Sequence, residues 1–263
     1  MADPLVLTTI IDGVVRLTLN RPAKRNALTR ELLADLLAQL RDVARRPELR
    51  CLVLAASGPA FCAGMDLAQM EETATRPDAA EIWKADTQLY HDVVTAQFEL
   101  ALPTLAVVQG PAVAGGLGLV LACDLVIAAE TATFALPEPK RGITAAIVTP
   151  LLVYRVGTSG ASYLLLSGES MDARGALRMG LCHSVFEAAR LAAAADGQVR
   201  SILSGAPGAL AITKRQLRAC AAGGILAQLK SAIAVSATAR ETAEAREGLQ
   251  AFFEKRPPTW QPK

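Results

Sequence analysis

Residues 109–119 read QGPAVAGGLGL and form the most informative stretch of the chain. The stretch follows an apolar run, residues 105–108, that predicts a strand, and it leads into small residues, 116–122, that predict a helix. Glycines at such a junction permit a tight turn, and they also let a ligand approach the backbone closely. The spacing is not the G-x-G-x-x-G of a dinucleotide loop, and the lysine and Ser/Thr of a phosphate-binding P-loop are missing.

Two further stretches place glycine or a carboxylate where a packed core has little need of them. Residues 60–67 (AFCAGMDL) follow residues 51–56, which predict a strand buried on both faces. Residues 134–142 (FALPEPKRG) carry Glu138 between two prolines. Taken singly, each stretch is also explained by a tight turn or by an exposed loop charge. Their combination is what points to a site.

The composition is that of a globular protein. Of 263 residues, 52% are hydrophobic and 20% are charged, and the net charge of +2 gives no overall field that favours nucleic acid or an anionic membrane. The five cysteines form no C-x-x-C pair, which predicts buried thiols in a reducing compartment. The apolar stretch 100–129 is interrupted by proline and glycine, and residues 1–4 do not resemble a signal peptide. We therefore expect a cytoplasmic protein without a membrane span, and the isolated His91 and His183 predict no metal site.

The hydrophobic pattern predicts an α/β chain that ends in helices. Residues 5–10 and 14–19 flank an Asp-Gly pair and predict a hairpin, and a helical period begins after Thr29, a suitable N-cap. Residues 71–86 have weak periodicity and predict a mobile loop or an irregular helix. Beyond Pro150 no strand is expected. Helices are predicted there at residues 151–156, 160–167, 173–179, 187–203, 207–222 and 226–253.

In order and spacing, these motifs resemble the enoyl-CoA hydratase/isomerase (crotonase) family. The resemblance includes N-R-P at 20–22, N-A-L at 26–28, F-C-A-G-x-D-L at 61–67, G-G-x-x-L-x-x-A-C-D at 115–124, P-E at 137–138 and F-F-E-K-R-P-P at 252–258. It implies a superhelix of strand–strand–helix repeats over residues 1–200. It also implies a helical C-terminal region, residues 201–263, that forms a homotrimer or a dimer of trimers.

The resemblance implies a catalytic site for acyl-CoA thioesters. Two backbone N–H groups, those of Met65 and Gly115, are expected to bind the thioester oxygen, and Glu138 is expected to be the acid/base. The family's usual second glutamate is replaced by Gly118. The pattern is in this respect similar to the single-glutamate hydratases of the methylglutaconyl-CoA type.

Substrate binding is also implied by the resemblance. Lys24 and Arg25 are placed like residues that meet CoA phosphates, although both are also ordinary loop charges. Coenzyme A is part of the substrate, and no separate cofactor is expected. The further residues expected to contact the acyl-CoA are Ala63, Asp66, Leu67, Gly116, Gly118, Phe252 and Lys255.

Three functions are consistent with the sequence. A hydratase that adds water across the 2,3 double bond of an acyl-CoA is preferred, with one glutamate handling both protons. A Δ3-Δ2-enoyl-CoA isomerase would use the same glutamate as a proton shuttle. A non-catalytic member that binds acyl-CoA or RNA is disfavoured by the presence of Glu138 and by an aromatic content of only 4%, and no nucleic-acid partner is expected.

Overall fold

The fold is built from nine strands and ten α-helices in the part of the chain that the computed structural model describes, residues 3–221 and 224–261. The strands are β1 (Val6–Ile11), β2 (Val14–Leu19), β3 (Cys51–Ala56), β4 (Thr104–Val108), β5 (Ala112–Val113), β6 (Leu125–Ala129), β7 (Thr133–Ala135), β8 (Met171–Asp172) and β9 (Ser184–Phe186). The α-helices are α1 (Arg30–Ala44), α2 (Leu67–Ala74), α3 (Ala79–Glu99), α4 (Gly115–Leu121), α5 (Val148–Ser167), α6 (Ala173–Met179), α7 (Leu191–Leu203), α8 (Pro207–Ala221), α9 (Ile225–Ala239) and α10 (Ala243–Phe253). Short 3-10 helices cover Pro22–Lys24, Glu138–Arg141 and Ala188–Arg190.

Six strands form a mixed sheet in the order β1-β2-β3-β4-β6-β9. β1 and β2 pair antiparallel across a turn at Asp12 and Gly13, which have φ of 49° and 76°, and this confirms the predicted hairpin. The other neighbours run parallel. Parallel strands covered on both faces are apolar along their length, which explains the unbroken apolar run in β4.

A second sheet contains β5, β7 and β8 and turns the chain into a superhelix. In one repeat, β4 belongs to the large sheet, β5 belongs to the small sheet, and helix α4 follows. In the next repeat, β6 belongs to the large sheet, β7 belongs to the small sheet, and the 3-10 helix Glu138–Arg141 follows. An isolated bridge between Cys62 and Ala112 extends the pattern back to β3 and α2. The predicted strand–strand–helix repeat is therefore confirmed.

The first helix shows how local sequence and burial agree in this fold. The Thr29 side chain accepts a hydrogen bond from Leu32 N at 3.2 Å and caps α1, as predicted. The leucines at helical spacing that follow are all buried in the main core. A smaller cluster, made by the other faces of β3, β4 and β6 with α7, covers the opposite side of the large sheet.

Three predictions about elements are wrong. The segment expected to be a loop or an irregular helix, residues 71–86, lies largely in the regular helices α2 and α3. Its helical period is obscured because α3 buries polar Asp86 and Thr87 beside Trp83. Strands β8 and β9 occur after Pro150, and they are too short to stand out in the sequence. The helix expected over 226–253 is divided into α9 and α10, and Thr242 caps the beginning of α10.

The C-terminal helices pack on the loop that carries Glu138. α9 lies against α3 and α5, and α10 lies against the 3-10 helix Glu138–Arg141. A side chain at Gly142 would collide with the Glu244 carbonyl, and one at Gly248 would collide with the Arg141 carbonyl, so the two backbones are in direct contact. The helical C-terminal region is as expected. A boundary at residue 200 and assembly into trimers stay predictions.

Neither a membrane-crossing single helix nor a cluster of metal ligands is found in residues 3–221 and 224–261. Two shorter helical stretches, Pro207–Cys220 and Ile225–Ala239, reach the length and apolarity of a span only when taken together, and they meet at a bend of 63°. No three His, Cys, Asp or Glu side chains there come together as ligands. His183 Nδ1 accepts a hydrogen bond from Val126 N at 3.0 Å, and His91 contacts residues of its own helix.

Candidate active site

Glu138 is a buried carboxyl group at the centre of the candidate site. It begins the 3-10 helix that follows Pro137, and Gly142 ends that helix in the left-handed conformation with φ 66°. The residue is only 6% exposed, and its Oε2 atom has no hydrogen-bond partner among residues 3–221 and 224–261. Buried polar atoms are normally satisfied, so an unpaired carboxylate oxygen in a residue that lines a cleft indicates a group kept free for a ligand or for proton transfer.

The environment of Glu138 favours its protonated form. Burial raises the pKa of this carboxyl from 4.5 to about 7, while a backbone N–H and the charges of Arg141 and Arg240 act in the opposite direction. A group with a pKa near neutrality can both accept and return a proton under physiological conditions. Glu138 therefore has the properties of an acid/base.

Met65 and Gly115, whose backbone N–H groups were predicted to bind the thioester oxygen, both line the same cleft. Leu28 binds both neighbours of Met65, because Leu28 N donates to the Gly64 oxygen at 2.8 Å and Asp66 N donates to the Leu28 oxygen at 3.0 Å. Successive N–H groups of an extended segment point to opposite sides, so the Met65 N–H points away from Leu28. Within the described chain, neither the Met65 nor the Gly115 N–H donates to a protein acceptor.

The two segments that carry these N–H groups are held together closely. A side chain on Gly64, whose φ is 89°, would lie 2.7 Å from Ala114 Cβ and 3.4 Å from Gly115 N. Ala114 itself has φ 54° and ψ −127°, a conformation that costs of the order of 1–3 kcal/mol for a residue with a side chain. The sequence did not reveal this strained backbone conformation of Ala114. The conformation sets the direction of the following N–H group, that of Gly115, at the beginning of α4.

The cleft brings together five of the predicted site residues: Ala63, Met65, Leu67, Gly115 and Glu138. Most of the wall is apolar, as is usual for small-molecule sites. The remaining lining residues are Met70, Tyr90, Ala114, Arg141, Ile143, Thr144, Ala145, Ala146, Ile147, Val148, Ser236 and Arg240. Arg141, Ser236 and Arg240 were not predicted. Arg141 could have been suspected from its position three residues after Glu138, whereas nothing in the sequence places Arg240 here.

Gly116 and Gly118 do not lie in the wall of the cleft, in contrast to the substrate contact predicted for them. A side chain at Gly116 would lie 2.5 Å from the Cys62 carbonyl oxygen and 2.6 Å from Cys62 Cβ, so this glycine permits close packing of two segments. A side chain at Gly118 would overlap the Tyr90 hydroxyl group. The structure thus gives both glycines a packing role.

Tyr90 fills the space that a side chain at position 118 would take. Its hydroxyl donates a hydrogen bond to the Gly115 carbonyl oxygen at 2.7 Å, and the ring lines the cleft. Burial, with smaller contributions from Cys62 and Glu138, raises the pKa of Tyr90 well above 10, so the hydroxyl stays neutral. A neutral hydroxyl therefore replaces a second carboxylate.

Cys62 is not a nucleophile in this site. Its thiol donates to the Asn26 carbonyl oxygen at 3.0 Å, and burial raises its pKa to about 12. A thiol with such a pKa is essentially never ionised near neutrality, and the thiolate is the reactive form. Acid/base chemistry at Glu138 is the reaction that the residues support.

The residues predicted to bind CoA fall into two groups. Arg25 adjoins the cleft, because its carbonyl accepts from Ala63 N at 3.0 Å, and its side chain is exposed, as is that of Lys24. Asp66 caps α2 through Ala68 N and Gln69 N and pairs with Arg21 at 3.1 Å, so its side chain is already engaged.

The tail residues lie further out. Phe252 is 46% exposed and stacks on the Arg141 guanidinium, 5.1 Å from the ring centroid, while Lys255 is exposed and outside the cleft lining. The structure therefore connects Phe252 to the cleft through Arg141 and leaves Lys255 apart. Binding of CoA by these residues stays a prediction.

Comparison with known proteins agrees with the geometry. The family model described as enoyl-CoA hydratase/isomerase matches residues 9–263. A protein from Thermus thermophilus is 40% identical over 243 residues, which cover 91% of this chain and 94% of the relative. The 2,3-dehydroadipyl-CoA hydratase of Escherichia coli is 35% identical, with 93% of this chain and 94% of the relative covered. The crystal structure of an enoyl-CoA hydratase from Mycobacterium avium has a TM-score of 0.86 at 34% identity and covers 99% of this chain and 100% of its own.

Proposed function

Because the chain belongs to the enoyl-CoA hydratase/isomerase family, we propose that it hydrates the 2,3 double bond of an acyl-CoA thioester. The observation that carries the proposal is a cleft lined by Glu138, Met65 and Gly115, whose Oε2 atom and two backbone N–H groups have no hydrogen-bond partner among the described residues. These are an acid/base and two hydrogen-bond donors. The methylglutaconyl-CoA type of hydratase remains the preferred branch within this proposal.

The proposed reaction uses all three of these groups. The ionised Glu138 takes a proton from water as the water oxygen bonds to C3, and the electron pair of the double bond moves onto the thioester. The negative charge that develops on the thioester oxygen is stabilised by the Met65 and Gly115 N–H groups. Loss of one such donor costs about 2.7–4 kcal/mol in comparable sites. Glu138 then returns the proton to C2, so that one water supplies both the OH and the H.

The substrate brings its own coenzyme, so we propose no further cofactor. CoA would lie along Ala63, Leu67 and the exposed cations Lys24 and Arg25. We further propose a homotrimer or a dimer of trimers in the cytoplasm. The apolar residues that remain exposed on the C-terminal helices, among them Leu217 at 61% and Val235 at 56%, support association.

A Δ3-Δ2-enoyl-CoA isomerase is the second candidate. One specific observation favours it: among the residues that the structure describes, Glu138 is the only one with a carboxyl group in the lining of the cleft. An isomerase needs a single base that moves one proton between two carbons. Hydration also needs space for water beside Glu138. The two reactions differ in whether solvent oxygen enters the product.

The experiment that tests the proposal measures oxygen-18 incorporation from labelled water into the product of a 2-enoyl-CoA. Incorporation by the wild type, together with a loss of turnover of about 10²–10⁴-fold in Glu138→Gln, is the expected result. Glu81→Gln, which removes an exposed carboxylate on α3, is the matched control and should turn over normally. Turnover of a 3-enoyl-CoA without label incorporation would make the protein an isomerase. Normal activity of Glu138→Gln would contradict both candidates.

A further inference from the structure

A second cavity continues the cleft beyond Glu138. It shares Leu67, Met70, Ile143, Arg141 and Arg240 with the cleft and reaches between α2, α3 and α10. Of the residues that line only this cavity, Trp83 and Arg246 carry polar groups and the others are apolar. A substrate held by its thioester next to Glu138 can therefore extend into this cavity, which we call the distal cavity.

The polar side chains that line the distal cavity are all hydrogen-bond donors. Trp83 is 7% exposed, and its Nε1–H has no hydrogen-bond partner in the described part of the chain. Arg240 donates from Nη1 to Thr87 Oγ1 at 3.2 Å, and its other N–H groups have no acceptor among the described residues. The Arg141 guanidinium stacks on Phe252 and likewise has no hydrogen-bond acceptor there. A buried donor without a partner is unfavourable, so the Trp83 Nε1–H favours a ligand that supplies an acceptor, and the two partly buried arginines offer further donors beside it.

In the part of the chain that the structure describes, neither Arg141 nor Arg240 lies within 4.0 Å of an Asp or Glu oxygen. Asp86 is near enough to act on the charge of Arg240, but Arg30 binds both of its oxygens, at 2.6 and 2.9 Å. Glu138, the other nearby carboxyl, is the proposed acid/base.

We propose that the acyl chain of the substrate carries a carboxylate at its far end, which is bound by Arg240, Arg141 and the Trp83 N–H in the distal cavity. This inference rests on the proposed function, because it assumes that the thioester lies beside Glu138. A carboxylate offers two oxygens to a guanidinium, the geometry that gives the strongest charge-assisted hydrogen bonds. The apolar wall between the two ends suits the methylene groups of the chain.

A binding experiment tests the inference without any turnover. Calorimetry with the wild-type protein compares two saturated thioesters, hexanedioyl-CoA and hexanoyl-CoA, which differ in the terminal carboxylate and cannot be hydrated. The dicarboxylic thioester should bind at least about tenfold more tightly, the usual minimum for hydrogen bonds to a charged group. Arg240→Met should abolish this preference, and Trp83→Phe, which keeps an aromatic ring and removes the N–H, should reduce it. Arg178→Met, which removes an exposed arginine of α6, is the control and should keep it.

Two outcomes would overturn the inference. The first is equal affinity of the wild type for both thioesters. The second is a loss of affinity for free CoA in Arg240→Met as large as the loss for hexanedioyl-CoA, because the arginine would then serve CoA phosphates. Unchanged CoA affinity also shows that the variant is folded. Since neither thioester reacts, failure here leaves the oxygen-18 result intact, and failure of the hydratase proposal leaves the binding preference measurable.

Discussion

Replacement of Glu138 by glutamine should stabilise the protein, and the gain should depend on pH. Burial raises the pKa of this carboxyl from 4.5 to about 7, so the folded state binds its proton more tightly than the unfolded state does. The free energy of unfolding of the wild type therefore falls as the pH rises from the pKa of Glu138 in the unfolded state to its pKa in the folded state. The whole of this loss is present above about pH 7. The difference between the two pKa values corresponds to about 3 kcal/mol. The glutamine side chain is never ionised, so the variant is not destabilised by a buried charge at high pH.

The assay is urea unfolding of the wild type, Glu138→Gln and the exposed control Glu81→Gln at one protein concentration, at about pH 8 and at about pH 4.5. At the higher pH, Glu138→Gln should exceed the wild type by up to about 3 kcal/mol, and near the lower pH the two should nearly coincide. Glu81→Gln should follow the wild type in both. If Glu138→Gln showed the same difference at both pH values, the carboxyl would not be held in its protonated form by burial, and its assignment as a neutral-range acid/base would lose its physical basis.

Two further predictions concern the neighbourhood of the cleft. Gly118→Glu should lose activity and about 1–3 kcal/mol of stability, because its side chain overlaps the Tyr90 hydroxyl. The double variant with Tyr90→Phe should recover part of both losses. Strictly additive losses of the two substitutions, measured by urea unfolding and by turnover, would argue against this steric cause. Arg25→Ala and Lys255→Ala should raise KM for acyl-CoA with kcat little changed, since phosphate contacts form equally in ground and transition states. Equal turnover of short pantetheine thioesters and full CoA esters would show that the nucleotide is not bound by these residues.

Much of the fold could be predicted because local chemistry and tertiary structure agree there. The Asp12-Gly13 turn, the Thr29 cap and the apolar runs of β3 and β4 each have one favourable solution. The segment around α3 was predicted badly because its buried residues include the polar Asp86, whose partner Arg30 is far away in the sequence. Burial of a polar side chain becomes favourable only when that partner is in place, and a window of sequence does not contain it.

The candidate site was predicted in the same uneven way. Glu138, Met65 and Gly115 belong to motifs with local signatures, and the structure places all three in one cleft. Arg240 directly follows the end of α9 and lies far in sequence from those motifs. Its position depends on how α9 packs over the site, and it does not stand in a motif that marks it. The sequence therefore predicted the reacting groups but not the arginine beside them.

The loss of the second glutamate simplifies the titration of the site. Two carboxylates at short distance would be coupled, and the observed pKa values would belong to the pair and not to either group. Here Tyr90 occupies the space beside Gly118, and its hydroxyl stays neutral, so Glu138 titrates alone. The ionised form accepts the proton of water, so kcat/KM should rise with pH through a single ionisation near about pH 7 and then level off. A bell-shaped profile with two ionisations, still present in Tyr90→Phe, would require a second titrating group and would contradict the single-acid mechanism.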